Sequence, residues 1–215
     1  MRLIRLVTIA LMISGLTAPH ARAADDKAGV FDYWVLALSW SPTWCALEGD
    51  ARGAEQCSRP LGWSLHGLWP QYTRGWPSYC TTPHAPPRRA MTAEMVDIMG
   101  SSGLAWHQWR KHGVCSGLDA AQYLALSRQA YDSVVRPEVF RKIPDPVRLP
   151  ASVVEEAFLK ANPGLSADSL TITCRQGRIH EARVCLARNT LVPVPCGRDV
   201  IRDCAATDAL FDPVR

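Results

Sequence analysis

Two apolar runs in the first third of the chain predict strands. Residues 31–40 (FDYWVLALSW) are rich in aromatic and β-favouring side chains. In residues 62–68 (GWSLHGL) successive side chains alternate between two faces, so Ser64 and His66 share one face. Pro70 follows closely and cannot donate a hydrogen bond, so we do not expect this strand to continue into a central ladder.

Helix-start signals dominate the middle of the chain. Thr92 is a candidate first residue of one helix, and Asp119 begins a longer helix that runs to about Val135. Ser152 is followed three residues later by Glu155, which is the capping-box pattern expected at the start of another helix. These signals predict three helices between the early strands and the end of the chain.

The last strong pattern is a hairpin. Residues 170–174 (LTITC) and 179–186 (IHEARVCL) predict two strands joined by a turn at Gln176 and Gly177. Helices and antiparallel strands are thus mixed without β-α-β alternation, and neither an internal repeat nor a long linker divides the chain. We predict a single α+β domain in which helices flank a central antiparallel sheet.

The first 23 residues have the pattern of a cleaved signal peptide. Two arginines precede a short apolar run, residues 6–16, and residues 21–23 (ARA) match a small-x-small cleavage site. The apolar run is too short for a stable transmembrane helix, which disfavours an uncleaved anchor. We therefore expect a mature chain of residues 24–215 that is periplasmic or secreted and does not cross a membrane.

The charge of the mature chain argues against a broadly basic surface. Removing the 23 leader residues from 215 leaves 192, enough for one domain with a substantial core. Arg2, Arg5 and Arg22 lie in the leader, so 21 of the 24 lysines and arginines remain against 20 acidic residues. A nucleic-acid partner would therefore have to be bound through a local site.

The cysteine count predicts disulfides. An even number behind a signal peptide is typical of disulfides formed in an oxidising compartment, although spacing alone leaves the pairing open. A zinc ribbon is disfavoured because no CxxC pair occurs. The eight cysteines are Cys45, Cys57, Cys80, Cys115, Cys174, Cys185, Cys196 and Cys204.

Residues 106–115 (WHQWRKHGVC) gather side chains that can carry chemistry. At about 100° per residue, a helix places the polar groups of this segment on one face: His107, Gln108, Lys111 and His112. Trp106 and Trp109 fall on the opposite side, where we expect both to pack into the core. Gly113 is placed to end the helix. Taken alone, the pattern fits a catalytic face and an ordinary surface equally well.

A zinc site is a weaker alternative for this segment. The helical zinc motif has two histidines four residues apart with an intervening glutamate, whereas His107 and His112 are five apart without one. Lys111 would also repel a dication. A third histidine, His66, favours acid–base chemistry instead. Two histidines that face each other can remove and supply protons near neutral pH, while a lysine stabilises developing negative charge.

Two motifs carry a resemblance to a known family. LHGLWP (residues 65–70) and WHQWRKHGVC resemble the active-site segments of the ribonuclease T2 family, whose usual forms are IHGLWP and HEWxKHGTC. The resemblance extends to FDYWVLALSWSPTWC at the first strand and to Cys174 and IHEARVCL near the end. It therefore covers nearly the whole mature chain.

The resemblance implies an endoribonuclease that cleaves single-stranded RNA, but not DNA, with low base specificity. The ribose 2′-OH attacks the adjacent phosphorus and leaves 2′,3′-cyclic phosphate and 5′-OH ends, so no metal or other cofactor is required. By the same likeness His112 is the general base and His66 the general acid. His107 would hold the phosphate, and Lys111 would stabilise the phosphorane.

The resemblance also implies the disulfide pairing. One of the implied pairs, Cys80–Cys115, would tie the second active-site motif to the loop that follows the first motif. The implied pairs are Cys45–Cys57, Cys80–Cys115, Cys174–Cys204 and Cys185–Cys196.

Base contacts and assembly are less specified. Aromatic residues cluster after the first motif, and exposed ones can stack on unpaired bases, although a core position is an equally good interpretation. The stacking candidates are Trp69, Tyr72 and Trp76, with Tyr79 in the same cluster. We predict that His84 and His180 are structural or solvated and that the protein is a monomer.

Gln108 and Ser39 depart from the family's pattern, which usually has Glu and Gln at these positions. An amide can hydrogen-bond to a phosphate or orient His112, but it cannot take a proton or raise the pKa of a histidine through charge. Our hypothesis is an active enzyme whose pH optimum is lower than that of its Gln108→Glu variant. The alternative is a catalytically weakened RNA-binding or inhibitory protein on the same scaffold.

Overall fold

A computed structural model of the protein describes residues 26–215. The predicted signal peptide and its cleavage position lie outside the described residues. Within this range, no helix has the length and apolar character needed to cross a bilayer.

The described part of the chain forms a mixed α+β domain. Its strands are β1 (Tyr33–Trp40), β2 (Trp63–Gln71), β3 (Val147–Leu149), β4 (Leu170–Arg175), β5 (Arg178–Ala187) and β6 (Ala209–Phe211). Its α-helices are α1 (Ser41–Trp44), α2 (Arg89–Ala93), α3 (Val96–Met99), α4 (Ser102–Lys111), α5 (Ala120–Ser133) and α6 (Ala151–Ala161).

The strands form one sheet in the order β2-β1-β5-β6-β3, with β4 also paired to β5. All pairings are antiparallel except a single parallel contact between Arg178 in β5 and Leu210 in β6. The predicted α+β class and the flanked central sheet are confirmed. The three-residue strands β3 and β6 were not predicted, because so short a segment shows no alternation that distinguishes it from a loop.

The core is built around aromatic rings that pack between the sheet and the helices. Tilted and edge-on contacts join their ring centroids at 4.4–6.5 Å, the geometry that aromatic pairs favour. The Trp40 indole also donates a hydrogen bond to the Asp212 carbonyl (2.8 Å), which ties the carboxyl-terminal segment to this cluster. Its members are Trp40, Trp63, Phe140, Phe158 and Phe211.

Strand β2 runs further than predicted, through Pro70 to Gln71. It is the edge strand and pairs only with β1, so a residue without an N–H is tolerated there. A bulge interrupts this pairing: Ala37 lies opposite Gly67 and Leu38 opposite Leu65, so His66 is the extra residue. Bulges re-aim side chains, and this one lies at the first of the two motifs.

Two helix starts differ from the predictions. Helix α2 begins three residues before Thr92, whose hydroxyl donates to the Arg89 carbonyl (3.1 Å) inside the helix. Helix α6 exists as predicted but lacks the expected capping box around Ser152. Its first amide, on Ala151, donates to the Ala206 carbonyl (3.0 Å), so a distant segment supplies an acceptor at the start of this helix.

The other local signals are confirmed. Asp119 and Gln122 form a reciprocal capping box at the start of α5, which ends two residues before the predicted limit. Gln176 and Gly177 both have positive φ (50° and 72°), as the tight turn between β4 and β5 requires. Four disulfides join Cys45 to Cys57, Cys80 to Cys115, Cys174 to Cys204 and Cys185 to Cys196, the pairing that the family resemblance implied.

Candidate active site

Helix α4 carries the second motif. It begins at a true cap, because the Ser101 hydroxyl accepts a hydrogen bond from the amide of Gly103 (3.1 Å). It ends at Lys111, one residue earlier than predicted. Gly113 adopts no left-handed conformation; a Cβ there would lie 2.5 Å from the Trp109 ring. This glycine is therefore required for close packing and not for a helix cap.

The buried side of α4 differs from the predicted one. Trp109 is buried as expected, but Trp106 is 42% exposed and Gln108 only 2%. The buried positions are spaced i, i+3, i+4 and i+7, which is the normal stripe of a helix against a core. They are Ala105, Gln108, Trp109 and His112. Gln108 and His112 thus point inward, and only His107 and Lys111 of the predicted polar face reach solvent.

The indole of Trp69 joins the two motifs. Its Nε1–H donates to Gln108 Oε1 (2.8 Å), and its ring stacks on His112 at a centroid distance of 5.3 Å. The same indole and the His66 ring are nearly perpendicular, with a centroid distance of 5.2 Å. Gly67 makes this approach feasible, because a Cβ there would lie 2.2 Å from Gln108 Oε1 and 2.5 Å from Trp69 Nε1. The glycine of LHGLWP therefore leaves space for the amide of the other motif.

His112 is held in its neutral form. Burial, together with the positive charges of Lys111, His66 and His107, lowers its pKa to about 3. Its Nδ1 is buried and has no hydrogen-bond partner among residues 26–215. An imidazolium needs an acceptor for each N–H, so this environment disfavours the charged ring. The result is an unprotonated imidazole at mildly acidic and neutral pH.

His66 has the opposite environment. Its Nδ1 lies 2.6 Å from Glu181 Oε1, and Glu181 is only 1% exposed. The other carboxylate oxygen accepts hydrogen bonds from Arg183 Nε (2.9 Å) and Nη2 (2.7 Å), and Ser39 Oγ donates to Oε1 (3.3 Å). Burial opposes the ionisation of Glu181, but the His66 hydrogen bond and nearby positive charges outweigh it and lower its pKa.

Glu181 was not singled out from the sequence. It lies on β5 directly opposite Ser39 of β1, so the sheet pairing brings both residues beside His66. The available signal was an acidic residue within the apolar strand pattern IHEARVCL, since a charge in a buried strand requires a partner. The partner belongs to β2, which only the tertiary fold identifies.

The other residues named from the sequence differ in their exposure. His107 is exposed, and burial of its inner part together with Lys111 and Arg110 lowers its pKa. Tyr72 is partly buried against the core and donates a hydrogen bond to Asp26 Oδ1 (3.2 Å), so its ring is not free. Trp76, by contrast, is 50% exposed. Of the two remaining histidines in residues 26–215, His84 is exposed in its loop, while His180 lies half-buried at a cavity wall.

Two cavities adjoin His66 and His112, which we call the paired histidines. The larger one, of about 560 Å³, is lined by Ser39, Ser64, His66, Leu104, Arg175 and His180. The smaller one, of about 240 Å³, is lined by Trp69, Trp76, Lys111, His112 and Arg183. Each cavity therefore contains one histidine of the pair.

Fold and site together define a disulfide-bonded α+β protein in which His66 and His112 contact one indole, each at a separate cavity. The model of the ribonuclease T2 family matches residues 31–196. A ribonuclease of Aeromonas hydrophila is 36% identical over 218 residues, which covers 96% of this chain and 99% of that protein. The chain belongs to the ribonuclease T2 family, and this membership supports an RNA-cleaving activity.

Solved structures agree on the fold. Trichomaglin, described as a novel S-like ribonuclease, superposes with a TM-score of 0.67 at 18% identity and covers 86% of this chain and 100% of its own. RNase NT, solved in complex with 5′-AMP, gives a TM-score of 0.63 at 18% identity, with coverage of 86% and 99%. At this identity the likeness concerns the fold.

The burial of His112 generates a direct prediction. We expect its imidazole to titrate near pH 3, far below the ordinary value of 6.5. The measurement is an NMR titration of the histidine C2 protons, with the His112 signal assigned by its loss in His112→Gln. A midpoint near the ordinary value would contradict the neutral, desolvated ring described above.

Proposed function

We propose that this protein is an endoribonuclease that cleaves single-stranded RNA by transphosphorylation, without a metal and with low base specificity. The observation that carries the proposal is the contrast between two histidines on one indole. His112 is desolvated and neutral, as a proton acceptor must be, whereas Nδ1 of His66 lies 2.6 Å from the buried Glu181 carboxylate, which orients the ring so that its other nitrogen can donate a proton. One can remove a proton while the other supplies one.

The proposed reaction needs only these side chains and the substrate. His112 takes the proton of the ribose 2′-OH as that oxygen attacks phosphorus, and His66 gives a proton to the departing 5′-oxygen. The bond from phosphorus to the 5′-oxygen breaks as the 2′-oxygen bond forms, which leaves a 2′,3′-cyclic phosphate and a 5′-OH. Lys111 and His107 bind the phosphate oxygens and stabilise their growing negative charge.

The cavities suggest where the two nucleotides bind. The nucleotide that bears the attacking 2′-OH must lie beside His112, so its base would occupy the smaller cavity and stack on Trp76. The leaving nucleotide would occupy the larger cavity beside His66. Trp69 orders both histidines and Tyr72 is bonded to Asp26, so we assign neither of these candidates to base stacking.

Glu181 acts in this scheme as a positioning residue. It holds Nδ1 of His66, which leaves Nε2 to meet the substrate, and its negative charge stabilises the imidazolium that must donate the proton. Arg183 and Ser39 hold the carboxylate in turn. Residues of β1, β2 and β5 therefore hold the His66 ring in place before the substrate binds.

The disulfides and the predicted signal peptide bear on the compartment. Four disulfides require an oxidising environment, which together with the predicted signal peptide supports a periplasmic or secreted protein. We propose a monomer that acts on RNA without a cofactor.

One assay tests the central proposal. The purified protein is incubated with single-stranded RNA and excess EDTA, and the products are examined for 2′,3′-cyclic phosphate ends. We expect cleavage with EDTA, and a loss of at least roughly 100-fold in kcat for His66→Ala and for His112→Ala. Binding without cleavage would instead support the catalytically weakened protein, and cleavage abolished by EDTA would support a metal enzyme.

A second test concerns Glu181. Glu181→Gln keeps the size of the side chain but removes its charge, so we expect kcat to fall roughly 10- to 100-fold while KM changes little. Glu155→Gln, a partly buried carboxylate on α6, is the matched control. An unchanged kcat, or a loss that appears in KM instead of kcat, in a folded Glu181→Gln protein would refute the assignment.

A third test concerns Gln108. In Gln108→Glu a buried carboxylate would share the Trp69 indole with His112 and raise the pKa of that histidine through its charge. The base then requires a higher pH to lose its proton, so the acid limb and the optimum should both move upward. The control is Gln122→Glu, which adds the same charge at an exposed position of α5. No shift, or a shift to lower pH, would contradict the hypothesis.

A further inference from the structure

An exposed group of aromatic and cationic side chains lies beside the candidate active site. Tyr79 is 55% exposed and Trp106 is 42% exposed. Between them Cζ of Arg110 lies 5.9 Å from the centre of the Tyr79 ring and 5.7 Å from that of Trp106. We call these three residues the distal platform. None of them lines either cavity at the paired histidines.

The distal platform is held in place by the backbone. Tyr79 has a positive φ of 54°, a conformation that residues with a Cβ seldom adopt. Its amide donates to the Lys111 carbonyl (2.9 Å), and the next residue, Cys80, is bonded to Cys115. Both restraints tie this loop to the end of α4. Strained backbone of this kind persists where the surrounding structure requires it and is frequent at ligand sites.

The platform is also continuous with the proposed RNA site. Trp106 and Arg110 directly precede His107 and Lys111 on α4, which both belong to the phosphate-binding group proposed above. Tyr79 lies in the same loop as Trp76, which lines the smaller cavity. Tyr79 is also hydrogen-bonded through its amide to Lys111, which lines the smaller cavity. If the leaving nucleotide occupies the larger cavity as proposed, RNA that extends from the smaller cavity away from it runs in the 5′ direction.

We propose that the distal platform binds an unpaired RNA base on the 5′ side of the nucleotide held in the smaller cavity. The proposal rests on the proposed function, because it extends the same RNA strand. Aromatic rings stack on any base, and the guanidinium of Arg110 adds a stacking plane and a charge that attracts the backbone. Such a site increases affinity for longer RNA without adding base specificity.

This chemistry suits a protein with almost no net charge. The mature chain is expected to carry only about one excess positive charge, so long-range attraction contributes little to RNA binding. Stacking beside the reactive groups supplies affinity locally. An arginine between two exposed rings fits a nucleobase and phosphate better than an apolar protein partner, because the guanidinium would have to be desolvated at a protein interface.

The test measures binding of RNA that cannot be cleaved. The probes are 3′-labelled 2′-O-methyl oligonucleotides: a dinucleotide, the same with one added 5′ nucleotide, and a version in which that nucleotide is abasic. We expect the added base to lower the dissociation constant at least roughly 5-fold relative to the abasic probe, as read by fluorescence anisotropy. A fourth probe, extended at the 3′ end, reports on the other direction.

Variants identify the residues responsible. The effect of the added base should disappear in Trp106→Ala, persist in Trp106→Phe, and weaken in Arg110→Ala. Arg148→Ala, which removes an exposed arginine on β3, is the charge-matched control and should leave the effect intact. An undiminished base effect in Trp106→Ala, or a base effect seen only with the 3′ extension, would overturn the proposal.

The two proposals fail in different ways. If the protein does not cleave RNA but the base effect depends on Trp106, the catalytic assignment is wrong and the distal platform stands. If cleavage proceeds as expected and the added base changes nothing in the wild-type protein, the platform is refuted and the catalytic assignment stands.

Discussion

The candidate site depends on one indole. Trp69 donates to Gln108, stacks on His112 and makes a T-shaped contact with His66, so a single side chain sets the relation between two motifs some forty residues apart in sequence. The absence of a Cβ at Gly67 permits this approach. Arg183 lies over the same ring, 5.5 Å from its centre, and its Nε donates a hydrogen bond to Glu181.

This arrangement gives the two proposed catalytic histidines different electrostatic environments. The carboxylate that the family usually places in the second motif is replaced by Gln108, a neutral amide bonded to Trp69. The ionised carboxylate near the pair is instead Glu181, which contacts His66. His112 is kept neutral by desolvation and His66 is paired with negative charge, and this asymmetry is what proton transfer in one direction requires. Gln108 is thus compatible with function, as a structural link between the motifs.

Some of the differences between expectation and structure have a single origin. The helical rotation placed the polar residues of α4 on one face, and their polarity led us to expect that the tryptophan side would be buried. The helix instead buries the stripe that includes Gln108 and His112 and exposes Trp106. The spacing i, i+3, i+4 and i+7 can be read from the sequence, but Gln108 and His112 are polar and were not expected in a buried stripe. Only the structure shows that Trp69 donates a hydrogen bond to Gln108 and stacks on His112. The exposed tryptophan became the basis of the distal platform.

Local patterns determined much of this protein. The α+β class, the long strands, the tight turn at Gln176 and Gly177 and the cap of α5 all follow from short-range periodicity and turn chemistry, which act within a few residues. The candidates His66, His107, Lys111 and His112 were available from two motifs. Only the tertiary structure decided that Glu181 meets His66, that Gln108 is buried and that Trp106 is not. These outcomes depend on which strands become neighbours and on what fills the space between them, and no local pattern contains that information.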